Sequence, residues 1–463
     1  MKRLLILLLS LAVVISAMFS LSSCLGDIDS IFNPSSGEDG PQDTQTGEGD
    51  GNIADGSGNV TPEQNPTTPP TDGSEEEKEN DGSSDNTGST ENSGTENSGS
   101  GTEEPTLPPE FLPGSDTISV SGQAKALLSV TSIVCNFELS YGRTTASVGS
   151  GVIYKLDKTN GNAYIITNYH VVYNNNATTK GGISDDISLY LYGMELKTYK
   201  LTASYVGGSL TQDLAVLKVE GSEVLKKSAA RAADLGDSDK LAVLDSVIVV
   251  GNPEGYGLSA TKGVVSVESE SLAMTGADAQ TALDLRVIRV DAAVNEGNSG
   301  GGLFDENGDL VGIVNAKRTG SEVDNIGYAI PISYAKSFAE NIIYYCNGDT
   351  VTSPSKCLMG VTITAKVLGL RVDETTGKLY KVEAVEVDSL TAGSIAEGKL
   401  VAGDRITSIT VGNTTKEVTR MHHIIDLVIT AKIGDTVTLE ITRNGSPLTV
   451  SFTVTESAIT VVN

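Results

Sequence analysis

Histidine is almost missing from this chain of 463 residues: His170, His422 and His423 are all it has. So small a set leaves few ways to build a general base, and only His170 lies in the strand-rich middle of the chain. Basic residues are scarce as well, 32 Lys and Arg against 60 Asp and Glu, for a net charge of −28. Without a basic stripe, nucleic-acid binding is excluded as a function class. No residues have metal-ligand spacing and no nucleotide loop is present, so neither a metal nor a cofactor is expected. Cysteine is limited to four residues. Apart from Cys24, the three thiols Cys135, Cys346 and Cys357 leave at least one unpaired. Cys346 and Cys357 flank a linker, and spacing leaves open whether they bridge or stay as free thiols.

What the chain does have is glycine, concentrated around one serine in the segment Asp291-Ala-Ala-Val-Asn-Glu-Gly-Asn-Ser-Gly-Gly-Gly-Leu303. A serine hydroxyl attacks a carbonyl only if a base takes its proton and donors hold the oxyanion that forms. Flanking glycines let the backbone turn tightly enough for consecutive amides to converge, here those of Gly297 and Ser299. His170 ends the apolar run Asn162-Ala-Tyr-Ile-Ile-Thr-Asn-Tyr-His, which has the pattern of a half-buried strand entering a turn. Asp213 opens a second run, Asp213-Leu-Ala-Val-Leu-Lys218. Taken singly, such residues are ordinary turn formers: a polar residue meeting solvent, an acid before a strand, a serine among glycines. Together they supply base, orienting acid and nucleophile.

The order His170, Asp213, Ser299 is that of chymotrypsin-like proteases, not of subtilisins or α/β-hydrolases. The chain resembles the HtrA (Deg-type) serine proteases in Thr167-Asn-Tyr-His-Val-Val172, Asp213-Leu-Ala-Val-Leu217, Val250-Gly-Asn-Pro253 and Gly297-Asn-Ser-Gly-Gly301. Gly149-Ser-Gly-Val-Ile153, Leu235-Gly-Asp-Ser238 and Gly327-Tyr-Ala-Ile-Pro331 carry the resemblance further, from about residue 122 to the end. Glu296 and Gly302 stand where the family often has proline. The resemblance implies a catalytic triad of His170, Asp213 and Ser299 and an oxyanion hole from the Gly297 and Ser299 amides. It also implies a specificity pocket lined by Val294 and the strand holding Val314, Asn315 and Lys317. The implied activity is ATP-independent cleavage of misfolded or regulatory envelope proteins. A catalytically silent, tethered peptide-binding chaperone or scaffold is the alternative, against which the co-occurrence of all three groups argues. HtrA-type enzymes are commonly trimers, with Phe111, Phe137 and Tyr141 as candidate contacts.

Residues 1–23 read as a secretion signal: Met1-Lys-Arg, an apolar run to Leu21, then Ser22-Ser-Cys24. The cysteine makes it resemble a lipoprotein signal, with Cys24 lipidated and the chain held at a membrane outside the cytoplasm. An uncleaved anchor is the other reading. Residues 24–115 form a Gly/Ser/Thr-rich acidic linker. Between Gly26 and Pro113 there are 21 acidic residues against the single Lys78, too polar to offset ordering entropy. A flexible segment of that length spans roughly 50 Å.

The remainder is expected to be mainly β: two six-stranded antiparallel barrels of the chymotrypsin-like kind over 122–346, followed by a PDZ domain over 356–458. Short apolar runs at Ile187–Tyr192, Leu214–Val219, Val247–Val250, Gly263–Val267 and Leu310–Val314 are read as strands. The spacing of apolar residues predicts a helix over Ile332–Tyr345 and another over Thr419–Thr430. In the PDZ resemblance Leu358-Met-Gly-Val361 holds a peptide's terminal carboxylate, and the peptide adds as a strand beside it. His422 and His423 are expected on a solvated helix face. The implied partners are unfolded or C-terminal peptide segments.

Overall fold

The computed structural model describes residues 122–194, 199–315, 326–346 and 354–461. The first barrel runs β1 (Val130–Leu139), β2 (Arg143–Asp157), β3 (Asn162–Thr167), a one-turn helix α1 (Tyr169–Val172), β4 (Asp186–Leu191), β5 (Leu201–Ser209) and β6 (Leu214–Val219). Its strands close in the order β1-β2-β3-β6-β5-β4. A short helix α2 (Glu223–Lys227), capped by the Ser222 hydroxyl, leads away. The second barrel comprises β7 (Ser246–Gly251), β8 (Ser259–Thr275), β9 (Ala282–Val290), β10 (Gly302–Asp305), β11 (Leu310–Asn315) and β12 (Gly327–Pro331). It closes as β10-β11-β12-β9-β8-β7. Closure removes free strand edges, so neither sheet offers a pairing template. This is the chymotrypsin-like double barrel expected from the resemblance.

Each barrel has its own core. Ile133, Phe137, Ile153, Ile165, Leu189 and Leu217 fill the first. Val247, Val249, Ile288, Val290, Leu303 and Val314 fill the second. A third cluster lies outside both, where Ile166 and Val216 of one barrel meet Val250, Phe304 and Ile313 of the other. Helix α3 (Ile332–Tyr345) packs on that seam through Ile332, Ala335, Phe338, Ala339 and Ile342, an i, i+3, i+4 stripe. The double covering explains why β11 reads as an uninterrupted buried run and not as an alternating one. The observed helix has the bounds that the spacing predicts, because Pro331 ends the strand and apolar residues then recur every third or fourth position. Phe137 is a core residue of the first barrel, 1% exposed, and so cannot be an intersubunit contact. Its sequence neighbour Tyr141 is 99% exposed on the β1–β2 turn, while Phe111 lies outside the described residues.

The C-terminal domain starts with β13 (Ser355–Cys357) and continues through β14 (Val361–Val372), β15 (Leu379–Leu390), β16 (Arg405–Val411), β17 (Thr414–Glu417), helix α4 (His422–Val428), β18 (Thr436–Arg443) and β19 (Ser446–Thr453). Its sheet is ordered β14-β15-β16-β18-β19, with β17 on β16, and β20 (Ile459–Val461) returns to pair with β13. Helix α4 is shorter than the span Thr419–Thr430. The Glu383 carboxylate accepts the Met421 N–H and so holds that residue just ahead of the helix, and the Thr430 hydroxyl closes the other end on the Leu427 carbonyl. Inside the domain, Asp404 is fully buried and is gripped by Arg443 through Nε and Nη2, both at 2.7 Å.

Two polar side chains of the helix on the seam, Ser333 and Asn341, reach the next domain, Ser333 by donating its hydroxyl to Asp426 at 2.7 Å. Asn341 donates to the Ser355 carbonyl and to the Ile429 carbonyl, and its own carbonyl oxygen accepts the Ser355 N–H. Cys135, Cys346 and Cys357 are all unpaired, which answers the question the spacing left open. Burial pushes the Cys135 thiol up to about 12 and Cys357 to about 11, so neither is a reactive thiolate.

Candidate active site

The site begins where β3 ends. Thr167 is buried and its hydroxyl donates to the Ser150 carbonyl, which fixes the exit of the strand against β2. Asn168 is also fully buried, and its carboxamide donates to the main-chain carbonyl of Asp213 at 2.9 Å. The chain then enters α1, which carries His170 on its second residue. Asp213 sits just before β6 with a left-handed backbone, φ 47, a conformation Asp tolerates better than most residues but one that is rarely used without purpose.

The Asp213 carboxylate is 2% exposed and collects three donors. Oδ1 accepts the His170 main-chain N–H at 3.0 Å. Oδ2 lies 2.7 Å from His170 Nδ1 and accepts from Asn315 Nδ2 at 2.9 Å. A carboxylate only accepts, so Nδ1 carries a ring proton, and in the neutral imidazole the lone pair is then on Nε2. That is the tautomer a general base needs.

Ser299 arrives from the second barrel on a turn that only glycine permits. Gly297 has φ 91, and a Cβ there would lie 2.1 Å from the Asn252 carbonyl oxygen. Gly300 has φ 82, and a Cβ there would lie 2.2 Å from both the Ser150 carbonyl oxygen and the Thr167 hydroxyl. Both positions therefore exclude side chains by conformation and by space. The turn is anchored to its own barrel by Gly300 N–H to Val314 O (2.9 Å) and Val314 N–H to Gly301 O (2.8 Å). It is anchored to the first barrel by Ser150, whose N–H donates to the Ser299 carbonyl at 2.8 Å. The Ser150 hydroxyl donates to the Gly297 carbonyl at 2.7 Å and accepts the Asn252 N–H at 2.8 Å. A Cβ on Gly149 would run into Val171 on one side and the Ser299 carbonyl on the other. The nucleophile turn and α1 are thus neighbours across β2. Among the described residues no group accepts the Gly297 N–H, which leaves that amide able to meet an incoming oxyanion.

Four expected pocket residues fare differently. Val294 is half-buried and leans on Gly327, where a Cβ would come within 2.6 Å of its Cγ2. Val314 has no exposure and belongs to the second barrel's core, so it does not line a cleft. Asn315 is 2% exposed and spends its carboxamide on Asp213, an orienting contact and not a pocket wall. Lys317 lies outside the described residues, as does Cys24. Of the C-terminal loop, Leu358 is half-exposed but its N–H is taken by the Ala458 carbonyl at 2.7 Å, which removes it from a carboxylate-binding set. Met359 is buried in the domain core, Gly360 has φ 73 and abuts Ser394, and Val361 opens β14.

Ser150, Asn168 and Asn252 were not singled out from the sequence, whereas Asn315 was expected in the pocket. The first three stand inside the quoted motifs, so the motif spelling itself was the available signal.

The sequence profile of the trypsin-like peptidase domain matches residues 149–313, a span that contains His170, Asp213 and Ser299. The Serine protease Do-like HtrA of Bacillus subtilis (strain 168) is 35% identical over 313 residues, covering 66% of this chain and 63% of that protein. The protein of the same name in Lactococcus lactis subsp. cremoris (strain MG1363) is 32% identical over 335 residues, covering 68% of this chain and 72% of its own length. The chain belongs to the HtrA family of serine proteases. Another HtrA relative, the Periplasmic serine endoprotease DegP of Escherichia coli (strain K12), is 30% identical over 67% of this chain and 58% of its own. The solved HtrA-type protease AlgW with tripeptide aligns over 73% of this chain and 96% of that one, at 26% identity and a TM-score of 0.45. As an HtrA serine endopeptidase, this chain places the assembly just described at the junction of its two barrels.

Proposed function

We propose that this HtrA protease works outside the cytoplasm as an ATP-independent endopeptidase, taking unfolded segments of envelope proteins into the groove between its barrels. His170 acts as general base, Asp213 orients it, Ser299 is the nucleophile, and the Gly297 and Ser299 amides form the oxyanion hole. The observation that carries this reading is the pairing of His170 Nδ1 with a buried Asp213 at 2.7 Å, next to a nucleophile turn clamped by Ser150. Ser299 Oγ bonds to the scissile carbonyl carbon while its proton passes to His170 Nε2. The carbonyl π pair moves onto oxygen, facing the Gly297 and Ser299 N–H groups. Collapse breaks the C–N bond, and His170 returns its proton to the leaving amine. Water then repeats the sequence on the acyl-enzyme, giving up one proton to His170, which passes it to the departing Ser299 oxygen.

The names of two Escherichia coli relatives, DegP and DegQ, include the word periplasmic, which supports an extracytoplasmic location. The signal-like residues 1–23 ending at Cys24 support a lipid anchor, and the acidic residues 24–115 a tether. The C-terminal domain, 356–458, serves as a PDZ module for C-terminal peptides, using the Met359 and Gly360 loop and the edge strand β14. A homotrimer is the assembly the family suggests, with Tyr141 as an exposed contact.

Ser299→Ala should lower turnover of a denatured protein on the order of 10⁶-fold. Labelling by a serine-directed fluorophosphonate should vanish with it. Digestion by the variant at a rate comparable to wild type refutes the assignment.

A further inference from the structure

Two of the three histidines take no part in the peptidase site, and they do not face solvent as their helix position suggested. His422 and His423, at the start of α4, are both largely covered by the second-barrel side of the protease, where Asp239 meets them from the turn Ser238–Lys240. His422 Nε2 is 3.4 Å from Asp239 Oδ1, and His423 Nε2 is 3.9 Å from Asp239 Oδ2. The two rings stand edge to face with centroids 4.7 Å apart. We infer that Asp239, His422 and His423 form a binding site for a nitrogen-preferring divalent transition metal such as Zn²⁺, clasping the C-terminal domain to the protease.

Three features argue for a ligand set instead of an incidental cluster. The donor atoms all lie within 4.8 Å of one another. Ligands on a tetrahedral ion with bonds of about 2.0–2.1 Å are separated by roughly 3.3 Å, so small side-chain rotations complete the geometry. His423 Nδ1 is 2.9 Å from the Glu417 carbonyl. That carbonyl only accepts, so this short contact puts the proton on Nδ1 over the longer approach of the Thr419 N–H at 3.4 Å, and Nε2 is on the Asp239 side. Such a bond to main-chain carbonyl is how metal-ligating histidines are commonly oriented. Finally, the cluster opens into a cavity of about 260 Å³ lined by Arg286, Arg420 and Thr419 among others, which supplies room for a water as further ligand.

The surrounding charges narrow the ion. Lys416 Nζ holds Asp239 Oδ2 at 2.7 Å, and Arg286 binds Asp426 at 2.6 Å while standing 3.9 Å from Asp239 Oδ1. These two cations oppose the two carboxylates. A hard ion held by charge alone, such as Ca²⁺ or Mg²⁺, is therefore disfavoured, and Oδ1 with two imidazoles suits Zn²⁺, Co²⁺ or Ni²⁺. Sequence spacing gave no sign of the site because its carboxylate comes from a different domain.

The test uses the purified chain with Zn²⁺ followed by calorimetry and Co²⁺ followed by its visible absorption. One ion per chain is expected. His422→Gln and His423→Asn should each weaken binding roughly tenfold or more. Asn at 423 can still donate to the Glu417 carbonyl, so that variant keeps the fold-supporting bond and loses only the ligand. His170→Ala should bind as wild type does. The inference is overturned if wild type binds no ion up to about 1 mM, if both helix variants bind as wild type does, or if His170→Ala alone abolishes binding.

Discussion

Asn315→Ala tests the orienting contact that the sequence assigned to a pocket. The substitution removes one of three donors from the Asp213 carboxylate and leaves the two from His170 in place. A hydrogen bond to a charged acceptor contributes about 1.5–3 kcal/mol net, and each 1.36 kcal/mol is tenfold in rate. Were the whole contribution specific to the transition state, kcat would fall by about 10- to 150-fold. Part of the bond is already made in the resting enzyme, and the remaining two donors still hold the carboxylate, so the lower end is expected: roughly tenfold to thirtyfold in kcat with KM little changed. That loss is far smaller than the about 10⁴ expected for Asp213→Asn, which inverts the tautomer. Stability should also suffer by about 1–3 kcal/mol, since Asp213 is buried and loses a partner. The assay is turnover of a fluorogenic peptide, normalised to active sites by fluorophosphonate labelling, with a melting curve on the same sample. Activity within twofold of wild type at equal labelling refutes the orienting role.

Gly297→Ala should abolish labelling and lower activity by about 10²–10³ or more, because a Cβ there meets the Asn252 carbonyl and the turn must move its amide; near-normal labelling would show that the turn is not the oxyanion site. In the C-terminal domain the Arg443 pairing outweighs desolvation and holds the Asp404 carboxyl below its ordinary 3.8. A lowered folded value means that the pairing stabilises above pH 3.8 and that this is lost as pH falls through the folded value. Asp404→Asn should therefore lower the domain's melting temperature at neutral pH and flatten its decline below pH 4, as read by circular dichroism across an acid series.

Much of the double barrel was legible because its strands are short apolar runs punctuated by Gly, Asn and Asp. Leu214–Val219 and Ile332–Tyr345 coincide with β6 and α3, where both the apolar pattern and its stops are local. Strand β8 was read only over Gly263–Val267. Its full span, Ser259–Thr275, includes a half-exposed far end with little apolar residue pattern to mark it. The positions His170, Asp213 and Ser299 stood out because histidine is scarce and glycine crowds one serine. What could not be read were contacts supplied from elsewhere in the chain. Asn315 looks like a strand-end residue until the first barrel brings Asp213 to it. His422 and His423 look solvated until Asp239 and Lys416 cover the helix. Phe137 reads as an intersubunit contact, yet it shares the inward face of β1 with Ile133 and Cys135.

Ser150 has an implication for how this enzyme is divided. The residue belongs to one half of the protease, yet it dictates the shape of the turn in the other by engaging Gly297, Ser299 and Asn252 together. Neither half expressed separately would own a finished catalytic apparatus. A hinge motion that parted the halves by a single water's width would switch hydrolysis off while both cores stayed intact.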